Sequence, residues 1–202
     1  MPSVNTSRNL VLRAWDMMDR EHSSAMAFIL GGAVWFIVGT LYGLASAIHL
    51  YAPEFFNNIP WLVFSRVRPA HVNTILYGFV VTTLIGSGLY IVPVLLRRKL
   101  WSERLGLLAW LLWNITVLSG PITFGFGRSQ GREYTEYLWT FDVLFELAIL
   151  LVLLNLIMTL IHRREQTLYV SVWYFVGMFM WTAGTYPIGN VMWNPATGAT
   201  SG

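Results

Sequence analysis

The sequence predicts an all-α integral membrane protein of about five transmembrane helices. Three observations lead there. Of 202 residues, 55% are hydrophobic and only 11% charged, against about 25% charged in soluble globular chains. Five apolar stretches are each long enough to cross the hydrocarbon core, which takes about 20 helical residues. Trp, Tyr and Phe make up 15% of the chain, as expected where amphipathic rings sit at bilayer interfaces.

The five spans are Ala25–Tyr51, Ala70–Leu96, Leu105–Gly127, Leu138–Ile161 and Leu168–Val191. The first follows a mostly polar segment and is too long for a signal-peptide core, so it is expected to be retained. Its Gly39 and Gly43 form a G-x-x-x-G pair that permits close helix crossing. Pro121 and Pro187 are expected to bend spans three and five. The connections are short, so neighbouring helices should be antiparallel. The chain therefore divides into an N-terminal segment 1–24, a membrane domain 25–192 and a tail 193–202.

The thirteen Lys and Arg sort by side. Arg8, Arg13, Arg20, Arg97, Arg98, Lys99, Arg104, Arg163 and Arg164 fall on one side, nine in all. Arg66, Arg68, Arg128 and Arg132 make four on the other. The positive-inside rule then puts the N-terminus in the cytoplasm and the C-terminus outside. A pI near 9.4 reflects this topology rather than nucleic-acid binding, because the basic residues lie between apolar stretches. The absence of cysteine excludes disulfides, thiolate metal sites, iron–sulfur clusters and c-type haem attachment on this chain. No phosphate-cradling glycine loop, nucleophile elbow or hydrolytic triad is present.

The informative polar residues gather at the outer face. Four arginines there run against the charge bias, and an anionic group such as haem propionates or lipid headgroups would account for them. Neutral imidazole is a good axial ligand for haem iron, which singles out His71 at the mouth of span two. Gly78, Thr82 and Gly86 follow it on one helical face, leaving room either for a flat macrocycle or for a closely packed helix. His49 is read as an interfacial histidine, with a bis-histidine haem beside His71 as the alternative. His22 and His162 sit in charged flanks and are expected to be solvated. Glu133 and Glu136 would share a face on a helical turn, to bind a hard cation such as calcium or to pair with Arg128 and Arg132. Asp142 and Glu146, one turn apart, form either a proton route or subunit contact, or a hydrogen-bonded pair facing the bundle interior.

Three motifs in register carry a family resemblance. Arg66-Val-Arg-Pro-Ala-His-Val-Asn73 resembles the R-x-R-P-x-H-x-N stretch that opens helix two in the catalytic subunit of cbb-type cytochrome c oxidase, the C family of haem–copper oxidases. Gln130-Gly-Arg-Glu-Tyr-Thr-Glu136, followed by Trp139, resembles that family's Q-G-R-E-Y-A-E-x-x-W loop. Arg163-Arg-Glu165 and Leu168-Tyr-Val-Ser-Val-Trp-Tyr174 resemble its K-R-K-E-P-H-I-Y-V-x-N-W-F-Y stretch. The likeness runs from about Ala25 to the C-terminus, with the order and spacing of the five spans kept.

The resemblance implies that this is the front portion of a haem–copper oxidase helix bundle in a bacterial-type cytoplasmic membrane. His71 would be an axial ligand of low-spin haem b, with Arg66 and Arg68 near its propionates. Glu133 and Glu136 would be the carboxylates of a calcium-associated loop. The W-x-Y-G-H-N motif that opens the family's sixth helix is not in this sequence. Copper, the high-spin haem and the remaining ligands are therefore expected only with a partner chain, alongside c-type cytochrome subunits and other membrane subunits. His49, Ala70 and the lack of Pro after Glu136 depart from the commonest family residues. A nitric oxide reductase large subunit shares an H-T-N stretch and a G-R-E-F-x-E loop. Arg-Pro before the histidine and Glu-Tyr in the loop favour the oxidase. A non-catalytic anchor or small cytochrome b is the third alternative.

Overall fold

A computed structural model describes residues 20–56, 58–130 and 134–191. It contains five helices: α1 Ser23–Tyr51, α2 Phe64–Leu95, α3 Glu103–Gly125, α4 Trp139–Ile161 and α5 Val170–Val191. There is no strand among the described residues. Helices α1 to α4 are long and apolar enough to cross a membrane. Helix α5 has 22 residues, but Trp181, Thr182, Gly184, Thr185, Tyr186 and Pro187 dilute its apolar run, and it does not join that group. Both Pro121 and Pro187 lie inside helices that continue through them.

Helix α2 sits at the centre and packs against all four others. It starts at Phe64, earlier than the expected Ala70, so Arg66 and Arg68 belong to its first turns and not to a flanking loop. Its 32 residues rise about 48 Å at 1.5 Å per residue, more than a hydrocarbon core of about 30 Å. The arginine-bearing turns therefore project into the interface, where charge is tolerated.

Within α2, Thr74–Val81 is wound as a π-helix. Thr82 Oγ1 donates to the Tyr77 carbonyl at 2.7 Å and accepts from Trp113 Nε1, also at 2.7 Å. The wider π turns advance each residue by less than 100°, so the single face expected for His71, Gly78, Thr82 and Gly86 is broken. A Cβ on Gly78 would lie 2.9 Å from Trp35 and 3.1 Å from Val117. One on Gly86 would lie 2.8 Å from Ile29. Both glycines serve close helix packing, with no room left at them for a macrocycle. The core beside them is aromatic: Trp113 and Phe145 lie 4.6 Å apart, and Phe145 stacks on Tyr186 at 4.1 Å.

The end of the bundle away from His71 is clasped by polar side chains. Glu103, the first residue of α3, accepts from the backbone N–H of His22 and Ser24 and from the Ser24 hydroxyl, at 2.8, 2.9 and 2.6 Å. A carboxylate from a neighbouring helix thus supplies the N-terminal cap of α1, whose amides otherwise lack partners. Asn155 closes a two-way bond with the Ser102 backbone, and Leu96 O accepts from the Arg164 and Glu165 amides. His22 is not merely solvated: its ring packs edge-on against Tyr90 at 4.8 Å. His162 is exposed, and its ring bonds to the Met158 carbonyl one turn before it.

Candidate functional site

His71 lies in α2 against the small-residue stripe of α1. Its Nδ1 is 2.8 Å from the Gly39 carbonyl oxygen. A carbonyl can only accept, so Nδ1 carries the proton and Nε2 carries the lone pair. Gly43 makes this placement possible: a Cβ there would lie 2.7 Å from His71 Cε1 and 2.9 Å from Nδ1. The G-x-x-x-G pair thus receives a histidine ring as well as a helix. This tautomer, with one ring nitrogen fixed on a backbone carbonyl, suits metal ligation through the other.

Arg66 locks the surrounding turns. Its Nη1 donates to Pro60 O and Gly125 O, both at 2.9 Å, which ties the turn before α2 to the end of α3. Gly127 adopts φ +74 beneath the same guanidinium, a conformation that favours glycine. Arg68 is exposed, two residues further along α2. His49 is buried and bonds through Nε2 to the Leu62 carbonyl, with Phe56 and Phe64 packed on its ring. It anchors the loop between α1 and α2.

The loop before α4 differs from expectation. Glu133 and Arg132 lie outside the described residues. Tyr134 has φ 64, and α4 begins at Trp139; the helical face expected for Glu133 and Glu136 rests on Glu133 and lies outside the described residues. Glu136 does not pair with Arg128: it is buried, and Asn73 Nδ2 donates to its Oε2 at 3.0 Å. Asn73 follows His71 by two residues, so one side chain joins the helix that carries His71 to this loop. The Tyr77 hydroxyl adds a second tie, donating to the Tyr134 carbonyl. Burial, then the nearby Tyr77, Glu136 and Asp142, push the Tyr137 phenol well above its ordinary value and keep it protonated. Among the described residues, no group of three or more His, Cys, Asp or Glu could hold a metal ion.

Asp142 and Glu146 do not act as a pair. Asp142 is buried and accepts from the Tyr186 hydroxyl at 2.7 Å and from Gln130 Nε2 at 2.8 Å. It ties α4 to α5 and to the loop, so the interior-facing alternative holds for it. Glu146 opens instead into a groove of about 350 Å³ between α4 and α5, and its Oε2 is buried without a hydrogen-bond partner. Sequence reasoning missed Gln130 and Asn73 as the residues that organise this end. Both stood inside quoted motifs, which was the one available signal.

A central helix offering an imidazole nitrogen at one end of an all-α membrane bundle defines a polytopic membrane protein with a candidate metal-ligand position. Comparison with known proteins makes the class specific. The sequence pattern of the family described as cytochrome c and quinol oxidase polypeptide I matches residues 23–198, and this chain belongs to that family. It is 28% identical over 174 residues to the cbb3-type cytochrome c oxidase subunit CcoN1 of Stutzerimonas stutzeri, covering 86% of this chain and 36% of the relative. It is 29% identical over 182 residues to the bacteroid cytochrome c oxidase subunit 1 homolog of Bradyrhizobium diazoefficiens, covering 90% and 32%. Against the subunit 1 homolog of Agrobacterium tumefaciens the identity is 26% over 163 residues, covering 81% and 30%. The chain spans about a third of the length of these curated relatives.

Proposed function

We propose that this chain is the haem-b-bearing front portion of a respiratory haem–copper oxygen reductase. His71 would hold the iron of low-spin haem b through Nε2. Haem supplies one-electron exchange at that position. This chain's own residues hold the imidazole: Gly39 fixes the proton on Nδ1, Gly43 admits the ring, and Asn73 and Glu136 tie its helix to the loop beyond. Arg66 and Arg68 supply the guanidiniums that neutralise propionates, and Glu133 with Glu136 forms the calcium-associated loop. Further haem ligands and the copper ligands would come from sequence outside these residues. Electrons arrive from c-type cytochrome subunits, and oxygen reduction is coupled to proton translocation. The N-terminus faces the cytoplasm.

Support comes from one observation above others: the Nδ1 bond of His71 to the Gly39 carbonyl, which sets the ligating tautomer on the histidine that the R-x-R-P-x-H-x-N motif singles out. The test is a reduced-minus-oxidised spectrum of the chain purified with its membrane partners, with haem and metals counted on the same sample. Two b-type haems and one copper are expected. Non-haem iron in place of copper would mean a nitric oxide reductase, and absence of haem would overturn the proposal.

A further inference from the structure

The opposite end of the bundle carries a second basic cluster that the haem site does not use. Arg97, Arg98, Lys99 and Arg164 line one pocket of about 510 Å³, with Glu21 as its acidic member. Two of the four cations already have partners. Arg97 pairs with Glu165 at 3.3 Å, and Lys99 pairs with Glu21 at 3.1 Å. Among the described residues, the guanidiniums of Arg98 and Arg164 make no ion pair or side-chain hydrogen bond, and both residues are exposed. Counting Glu165, four cations face two carboxylates, which leaves the pocket with two positive charges in excess.

Part of the wall of this pocket is apolar. Val94 and Trp101 line it, 51% and 47% exposed, and the half-exposed Tyr90 stands beside His22 on the same helix end. Apolar and amphipathic side chains therefore border the cations on the surface that continues down the membrane-spanning part of α2. The loop is held in place by the Arg164 and Glu165 amides on Leu96 O and by the bond from Trp101 N–H to Thr159. A phosphate group with acyl chains running along α2 matches this arrangement of two guanidiniums above an apolar wall.

We propose that the Arg98–Arg164 pocket binds the phosphate of an anionic phospholipid. A guanidinium presents paired N–H donors that match phosphate oxygens, and the two here meet no side-chain hydrogen bond or ion pair among the described residues. The site is independent of haem and of the activity proposed above.

The test is native mass spectrometry of the full chain, delipidated in mild detergent and titrated with phosphatidylglycerol, phosphatidylcholine or inorganic phosphate. Juxtamembrane cations each contribute about fivefold to anionic-lipid binding, so two should give a preference for phosphatidylglycerol over phosphatidylcholine of roughly 25-fold. Arg98→Gln with Arg164→Gln should abolish that preference. Arg20→Gln with Arg163→Gln removes the same charge at the same end but outside the pocket, and should keep most of it. Equal losses in the two double variants, or no preference in the unmodified chain, would overturn the proposal. Inorganic phosphate binding as tightly as the lipid would also overturn it, because a free anion would then be the ligand. Among the described residues the Arg98 and Arg164 side chains make no hydrogen bond or ion pair, and exposed Arg163 donates only to Leu160 O at 3.3 Å, so unchanged helical circular dichroism is expected in both variants.

Discussion

Gly43→Ala puts a methyl group where the His71 ring now lies. The added Cβ would be 2.7 Å from Cε1, 2.9 Å from Nδ1 and 3.3 Å from Nε2, so the imidazole must move. Overpacking of this kind costs about 1–3 kcal/mol, and losing the bond to Gly39 adds about 1 kcal/mol. Replacing a helical glycine by alanine offsets about 0.5–1 kcal/mol. The net expectation is destabilisation by about 1–3 kcal/mol, with the His71 imidazole displaced. Gly177→Ala is the control, since nothing lies within 4 Å of its added Cβ; the isolated chain should gain about 0.5–1 kcal/mol there. Denaturant titration in mixed micelles, followed by circular dichroism, measures both variants, and the visible spectrum of the assembled protein reports the ligand. If Gly43→Ala matches Gly177→Ala in stability and leaves the haem spectrum intact, the cradle argument fails.

Three further substitutions separate structural from ligating roles. His49→Ala removes the bond to Leu62 and two ring contacts; it should cost about 2 kcal/mol in the same titration while the low-spin haem spectrum stays nearly intact. Glu103→Gln keeps the size of the α1 cap but puts an NH2, which cannot accept, in place of one carboxylate oxygen, so at least one of the three bonds of 2.6–2.9 Å is lost with the charge; a loss of about 1–2 kcal/mol is expected, its electrostatic part smaller in high salt. Glu146→Leu replaces a carboxylate whose Oε2 is buried without a partner; in the isolated chain it should stabilise by about 1 kcal/mol, seen as a higher thermal midpoint in detergent.

The five helices were legible because a bilayer leaves the backbone few alternatives to helix. Their ends were less so. Arg66 and Arg68 look like loop residues by charge, yet α2 already includes them because a helix longer than the membrane can carry charge at its tip. The π turn at Thr74–Val81 has no sequence signature, so the phase from His71 to Gly86 was counted on a straight α-helix and went wrong. His71 was found from its motif, and Gly39 and Gly43 from their spacing. That the two features are one site required the fold, since 32 residues separate His71 from Gly39. Glu136 is legible as a loop carboxylate of its motif, but its bond from Asn73 joins residues 63 apart and is read only from the fold.

The most direct test of the central claim is His71→Ala in the chain purified with its partners, read by reduced-minus-oxidised spectroscopy with the haem count on the same sample. Loss of the low-spin haem b signal, while the chain keeps its helical content and its partners, is the predicted result. An unchanged low-spin spectrum would show that another residue holds the haem, and would contradict the account.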